Sequence, residues 1–89
     1  AVLIDLREPD EWASTGVATP AILLSLSEFG RPENQELLES HRAQELIFYC
    51  HSGSRSGRVA RDLAQQGYRT ANMGGFAAWE AAGLPVRQV

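Results

Sequence analysis

Eighty-nine residues with a net charge of −3 predict one small domain over residues 1–89, because a chain this short buries only about two thirds of the surface it exposes when unfolded. An acidic balance without any basic cluster offers nothing to a nucleic-acid backbone, and no apolar run is long enough to cross a bilayer. No charged-then-apolar leader opens the chain, so a soluble protein is expected, cytoplasmic by default with a periplasmic location left open.

The chain starts on Ala1-Val2-Leu3-Ile4 with no initiator methionine, as a processed chain or a piece of a longer protein would. Val2-Leu3-Ile4 is the first of three near-continuous apolar runs. The others are Ile22-Leu23-Leu24 with Leu26, and Leu46-Ile47-Phe48-Tyr49, while Thr70-Ala71-Asn72-Met73 is a weaker fourth. Strands covered on both faces have this pattern.

Between these runs the helices declare their ends. Pro9 suits a first helical position and Asp10 and Glu11 suit the positive end of the helix dipole, which predicts a short helix over Pro9–Ala13. Pro32 starts a second helix through Leu37 and Leu38 towards Ala43. Its few apolar positions place it on the outside. The third begins directly after Cys50 and its loop, carries Val59, Ala60, Leu63 and Ala64 on one face and Arg58, Arg61 and Asp62 mostly on another, and stops at Gly67. A last helix carries Phe76, Ala77 and Trp79, ends at Gly83 and is followed by Pro85. Alternating strands and helices predict an α/β fold, a parallel sheet with helices on both faces. Sites in such folds lie at the carboxyl ends of the strands, where Asp5, Arg7, Cys50 and Gly74-Gly75 fall.

The segment richest in chemistry is Cys50-His51-Ser52-Gly53-Ser54-Arg55-Ser56, between a buried strand and a helix start. The single cysteine has no partner for an internal disulfide or a thiolate metal site, so its value lies in reactivity or packing. A helix amino terminus presents unpaired N–H groups and a partial positive charge. Such surroundings lower a thiol pKa from about 8.5 to between roughly 3.5 and 7.5. Gly53 lets successive amides turn inward, and Ser52 and Ser54 leave room. The competing reading, Cys50 as a small buried hydrophobe, fits poorly with Gly, Ser and Arg at a strand-to-helix junction.

His51 adjoins Cys50 and reads as loop geometry rather than as a base, and His41 reads as solvent-facing. Arg7 and Glu11 are four residues apart. They read either as a surface ion pair worth under about 1 kcal/mol, or with Asp5 and Arg7 bracing the Cys50 loop. Phe76 and Trp79 read as core packing. The basic residues are all arginine, which genomic composition explains as readily as function.

Taken together, Leu3-Ile4-Asp5-Leu6-Arg7 with Glu11-Trp12, the Cys50–Ser56 loop, and Gly74-Gly75-Phe76 with Trp79 and Gly83-Leu84-Pro85 resemble the rhodanese-like domain over nearly the whole chain. The resemblance implies a sulfurtransferase that moves a sulfane sulfur from thiosulfate or a similar donor to cyanide or a thiol through a persulfide on Cys50. On this reading His51, Ser52, Gly53, Ser54, Arg55 and Ser56 form the substrate-binding loop, whose amides stabilise thiolate and persulfide alike. Arg55 fixes the loop and attracts anionic donors, and Asp5 and Arg7 support it. Neither cofactor nor metal is needed. The alternative is a sulfur-relay or protein-interaction module with little activity on small donors. Similar phosphatases use a longer loop than the four residues between Cys50 and Arg55, and arsenate reduction in related domains draws on a further thiol.

Two departures stand out. Gly16-Val17-Ala18-Thr19-Pro20-Ala21 replaces the family's Gly-His-Ile-x-Gly-Ala segment. The strand and helix that precede Leu3-Ile4-Asp5 in the family are missing from this sequence, which predicts a barer sheet edge and a risk of association through it.

Overall fold

The computed structural model describes residues 1–89. Its elements run β1 (Val2–Asp5), α1 (Pro9–Thr15), β2 (Val17–Ala18), β3 (Ile22–Leu23), a 3₁₀ turn (Leu26–Glu28), α2 (Pro32–Ser40), β4 (Leu46–Cys50), α3 (Ser54–Gln65), β5 (Thr70–Gly75), α4 (Phe76–Ala81) and β6 (Val86–Arg87). Strands β3, β1, β4 and β5 lie side by side in that order, and every pairing among them is parallel. All four predicted apolar runs therefore contribute to one sheet, with β3 and β5 at its edges.

Alternation along the strands divides the core in two. On one face Ile4, Leu6, Leu24, Leu46 and Phe48 meet Val59, Ala60 and Leu63 of α3 and Leu38 of α2. On the other, Tyr49 and Phe76 pack with Ala18 and Ala21, and Leu3, Met73 and Trp79 are only partly buried against them. The Tyr49 and Phe76 rings stack with centroids 5.9 Å apart. Trp79 donates its indole N–H to the Pro85 carbonyl at 2.7 Å, so it anchors the turn after α4 as well as packing.

Element ends differ from expectation by a few residues. Helix α1 runs on to Thr15, α2 stops at Ser40 rather than near Ala43, and β5 reaches Gly75. Helix α3 closes where Gly67 predicts: the Gly67 N–H bonds the Ala64 carbonyl and the Tyr68 N–H bonds the Leu63 carbonyl, satisfying the last turn. Strands β2 and β6 lie outside the predicted apolar runs. They pair antiparallel, Val17 opposite Arg87 and Ala18 opposite Val86, and two-residue strands carry no periodicity to read. The unusual Gly16–Ala21 segment is well seated: Val17 and Ala18 are fully buried, and the Ala18 N–H donates to the Tyr49 hydroxyl at 3.0 Å. No helix is long and apolar enough to cross a membrane.

Candidate functional site

Strand β4 ends on Cys50 and α3 begins four residues later at Ser54, so the sulfur sits before the first turn of a twelve-residue helix. The Gly53 N–H donates to Cys50 Sγ at 3.1 Å, and the Ser56 hydroxyl lies 3.4 Å from the same atom. Gly53 has φ of 95°, a left-handed conformation that glycine adopts freely. A side chain there would press on the Gly74 backbone.

Strand β5 supplies the opposite wall. A register shift lets Tyr49 pair with Gly74 and Cys50 with Gly75. A Cβ on Gly75 would come within 2.5 Å of the His51 carbonyl oxygen, so only glycine allows this strand to lie against the loop. Asn72, three positions earlier, donates from Nδ2 to the Gly53 carbonyl at 3.0 Å and accepts at Oδ1 from the Gly74 N–H at 3.0 Å. Nothing in the sequence marks this residue: a lone Asn in a weak strand has no distinctive spacing.

The electrostatics of the sulfur follow from these contacts. Burial pushes the Cys50 thiol up, but the Ser56 hydroxyl and the amides of Ser56, Gly53 and Ser52 together outweigh it, and the pKa lies below the ordinary thiol value. Cys50 itself has 0% exposure, the burial that the competing reading of a small packed residue implies. Its surroundings are polar on the loop side, and His51, Ser52 and Ser54 are exposed.

The charged residues pair differently from expectation. The Arg7–Glu11 surface pair does not form. Arg7 turns inward to Asp5, with Nη2 2.9 Å from Oδ2, while Glu11 takes both Arg55 nitrogens, at 2.9 Å on Oε1 and 3.0 Å on Oε2. The Arg55 charge thus faces a carboxylate and ties the start of α3 to α1. That bond holds the Glu11 carboxyl down at about 2 against the opposing effect of burial, with the Glu8 N–H and the charges of Arg55 and Arg7 adding to it. The same carboxylate raises the Arg55 pKa.

Asp5 and Arg7 make no hydrogen bond to residues 50–56 and reach the loop only through their neighbours. The Arg7 guanidinium lies over the Phe76 ring at 4.2 Å and the Tyr49 ring at 5.7 Å. His51 makes no hydrogen bond to Cys50. It lines a polar cleft of about 280 Å³ with Arg7, Asp10, Glu11, Ser14 and Thr15. His41 is half-buried at the end of α2, with Nδ1 3.1 Å from Gln44 Oε1. No three His, Cys, Asp or Glu side chains cluster to hold a metal. A larger groove of about 510 Å³ runs from Ser54 and Arg55 along α3 to Gln66, with Leu26, Phe29 and Leu63 among its lining.

Comparison with known proteins agrees with this architecture. The family model of the rhodanese-like domain matches residues 1–82. The chain is 38% identical to the protein YtwF of Bacillus subtilis over 84 residues, covering 93% of this chain and 77% of that protein. It is 34% identical to thiosulfate sulfurtransferase 16 of the Arabidopsis thaliana chloroplast, over 94% of this chain and 78% of the relative. Among solved structures, a rhodanese-related protein from Thermoplasma volcanium superposes with a TM-score of 0.81 at 28% identity, covering 99% of this chain and 84% of that one.

Proposed function

This chain belongs to the rhodanese-like domain family, and from that premise we propose that it is a sulfurtransferase whose Cys50 carries sulfur as a persulfide. The observation that supports this most directly is the sulfur itself, met by the Gly53 N–H at 3.1 Å before the first turn of α3. A hydrogen bond to a charged acceptor is worth about 1.5–3 kcal/mol, and here such bonds favour the thiolate over the thiol.

In the first half-reaction the Cys50 thiolate attacks the outer sulfur of thiosulfate. The S–S bond of the donor breaks, sulfite leaves with the electron pair, and Cys50 keeps the sulfur as a persulfide anion. In the second, cyanide or an acceptor thiolate attacks that outer sulfur and Cys50 leaves as thiolate, ready to react again. The loop amides serve both anions, as dipoles already aimed at the sulfur. Because Cys50 has no exposed surface, the solvent-facing segment His51–Ser54 shifts to admit a donor. Arg55 positions this segment through Glu11 more than it attracts anions.

Mass spectrometry of the intact protein after thiosulfate treatment tests the proposal. An adduct of one sulfur, absent from Cys50→Ser and removed by cyanide, is the expected result. No adduct, under conditions that load a control sulfurtransferase, rejects it.

The groove along α3 favours a second reading, a relay module that takes sulfur from a protein donor. Its roughly 510 Å³ exceeds what thiosulfate or cyanide fills and suits a segment of polypeptide. Loading by a cysteine desulfurase but not by thiosulfate would select this reading.

A further inference from the structure

Ser56 has one hydroxyl proton and three acceptors around it: Asn72 Oδ1 at 2.6 Å, the Gly53 carbonyl at 3.2 Å and Cys50 Sγ at 3.4 Å. The orientation of the Asn72 amide decides among them. The Gly74 backbone nitrogen can only donate, and it lies 3.0 Å from Oδ1, so that atom is the oxygen and cannot give a proton to Ser56. The Ser56 hydroxyl must therefore donate to Asn72. The Gly53 carbonyl is already occupied, by the Gly57 N–H at 2.9 Å and by Asn72 Nδ2 at 3.0 Å. What Ser56 turns towards the sulfur in this arrangement is a lone pair.

We propose that Asn72 is a positioning residue that parks the Ser56 proton away from Cys50 and so withholds one donor from the sulfur until negative charge there is strong enough to draw it across. A hydroxyl rotor moves without any backbone change, which makes Ser56 a donor with two settings. With the proton parked, the sulfur is steadied by amides alone, and the Ser56 hydroxyl adds its share of the pKa lowering only once its proton is delivered. With it delivered, the thiolate gains a further charge-assisted bond, roughly twice as strong as a neutral one. The consequence for turnover rests on the sulfurtransferase reading: a lower-pKa thiolate leaves a persulfide faster but attacks a donor less readily, so Asn72 balances loading against discharge.

The other charged groups around the sulfur are Arg55 on α3, Glu11 on α1 paired with it, the Asp5–Arg7 pair ending β1, and His51 in the loop. Strand β5 brings none. All remain unchanged in the variants below and cancel in the comparison.

Titration of Cys50 by thiolate ultraviolet absorbance, and by the pH profile of iodoacetamide alkylation, tests this without any sulfur donor. In Asn72→Ala the freed hydroxyl keeps two acceptors, the Gly53 carbonyl at 3.2 Å and Cys50 Sγ at 3.4 Å. A thiolate, being charged, draws it more strongly than a carbonyl still held by the Gly57 N–H, and the Cys50 pKa should fall by about one unit. In the Ser56→Ala background the same substitution should produce no fall. Asn72→Leu, which fills the vacated space, substitutes for the alanine variant if that one does not fold. A purely structural Asn72 gives the opposite sign, because a loosened loop loses amide donors and the pKa rises. A rise, no change, or a fall that persists without Ser56 overturns the proposal. Failure to load sulfur while the titration behaves as expected rejects the proposed activity and leaves the Asn72 assignment standing.

Discussion

Two arginines at the same end of the sheet do opposite work. Arg7 is 1% exposed and engages all three guanidinium nitrogens: both oxygens of Asp5, the Thr15 hydroxyl at 2.8 Å and the Gly16 carbonyl at 2.9 Å accept from it, with two aromatic rings beneath. Arg55 has a side chain 31% exposed and puts both of its terminal nitrogens on Glu11. A buried guanidinium with partners on each nitrogen is a strut, since removing its counter-ion strands a charge in the interior. A guanidinium at the rim with one carboxylate partner is an adjustable tie. Stability should therefore respond to the first and chemistry to the second.

Removing the carboxylate of the strut should have the largest effect. Asp5→Ala leaves Arg7 charged and unpaired in the interior, a situation worth about 3–5 kcal/mol. At about 0.05–0.15 kcal/mol per residue a chain of this length has about 4–13 kcal/mol in all, so that loss is a large share of it. Urea unfolding should show Asp5→Ala largely unfolded or shifted to a much lower midpoint. Replacing both partners, Asp5→Ala with Arg7→Met, should restore much of the loss because the stranded charge goes too. A cost under about 1 kcal/mol for Asp5→Ala would erase the distinction between the two arginines.

Arg55→Lys should give a smaller effect of a different kind. A lysine keeps the charge but cannot reproduce the two-pronged grip on Glu11, so the start of α3 and the loop before it lose their tie to α1. Sulfur loading of Cys50 should slow about tenfold, near 1.4 kcal/mol in the barrier, while the urea midpoint moves by the equivalent of under about 1 kcal/mol. Loading kinetics beside urea curves check both halves. A stability loss as large as that of Asp5→Ala would make Arg55 a second strut.

Local features of this chain are legible in its sequence, and long-range pairings are not. The apolar runs at Val2, Ile22 and Leu46 announce a parallel sheet because both faces of such strands are apolar, although Val2, Leu3, Ile22, Leu23 and Ile47 stay only partly buried. The face of α3 with Val59, Ala60 and Leu63 is equally plain. The Cys50 loop is legible because its meaning is local: a thiol, then small residues, then a helix start. The ion pairs are not local. A spacing of four suggested Arg7 with Glu11, but Arg7 precedes α1, which starts at Pro9, and the helical neighbour rule holds only inside a helix. The true partner of Glu11 lies 44 residues away. Asn72 is hidden for the same reason, since it acts on Gly53 and Ser56 across a strand pairing whose register shift no periodicity records. The complete burial of Cys50 also depends on the third dimension, on β5 closing against the loop at Gly75.

The smallest predicted effect is the one whose shape is most diagnostic. The Glu11 carboxyl is held down at about 2 in the folded protein from its ordinary 4.5, chiefly because Arg55 donates to it. A carboxylate with a depressed pKa stabilises the fold fully above the unfolded value and loses that contribution as pH falls from about 4.5 towards 2. With the side chain 26% exposed, solvent screening limits the contribution to about 1 kcal/mol or less. Glu11→Gln should therefore unfold at a lower urea concentration than the parent at neutral pH, and the gap should close across that acid window. Glu39, also held low by Tyr68 and Arg42, titrates in both proteins and drops out of the difference. Added salt should narrow the neutral-pH gap, as for any pair near the surface. A gap that survives at the acid end would mean that Glu11 holds α1 by shape and neutral hydrogen bonding, and that the tie to Arg55 owes little to charge.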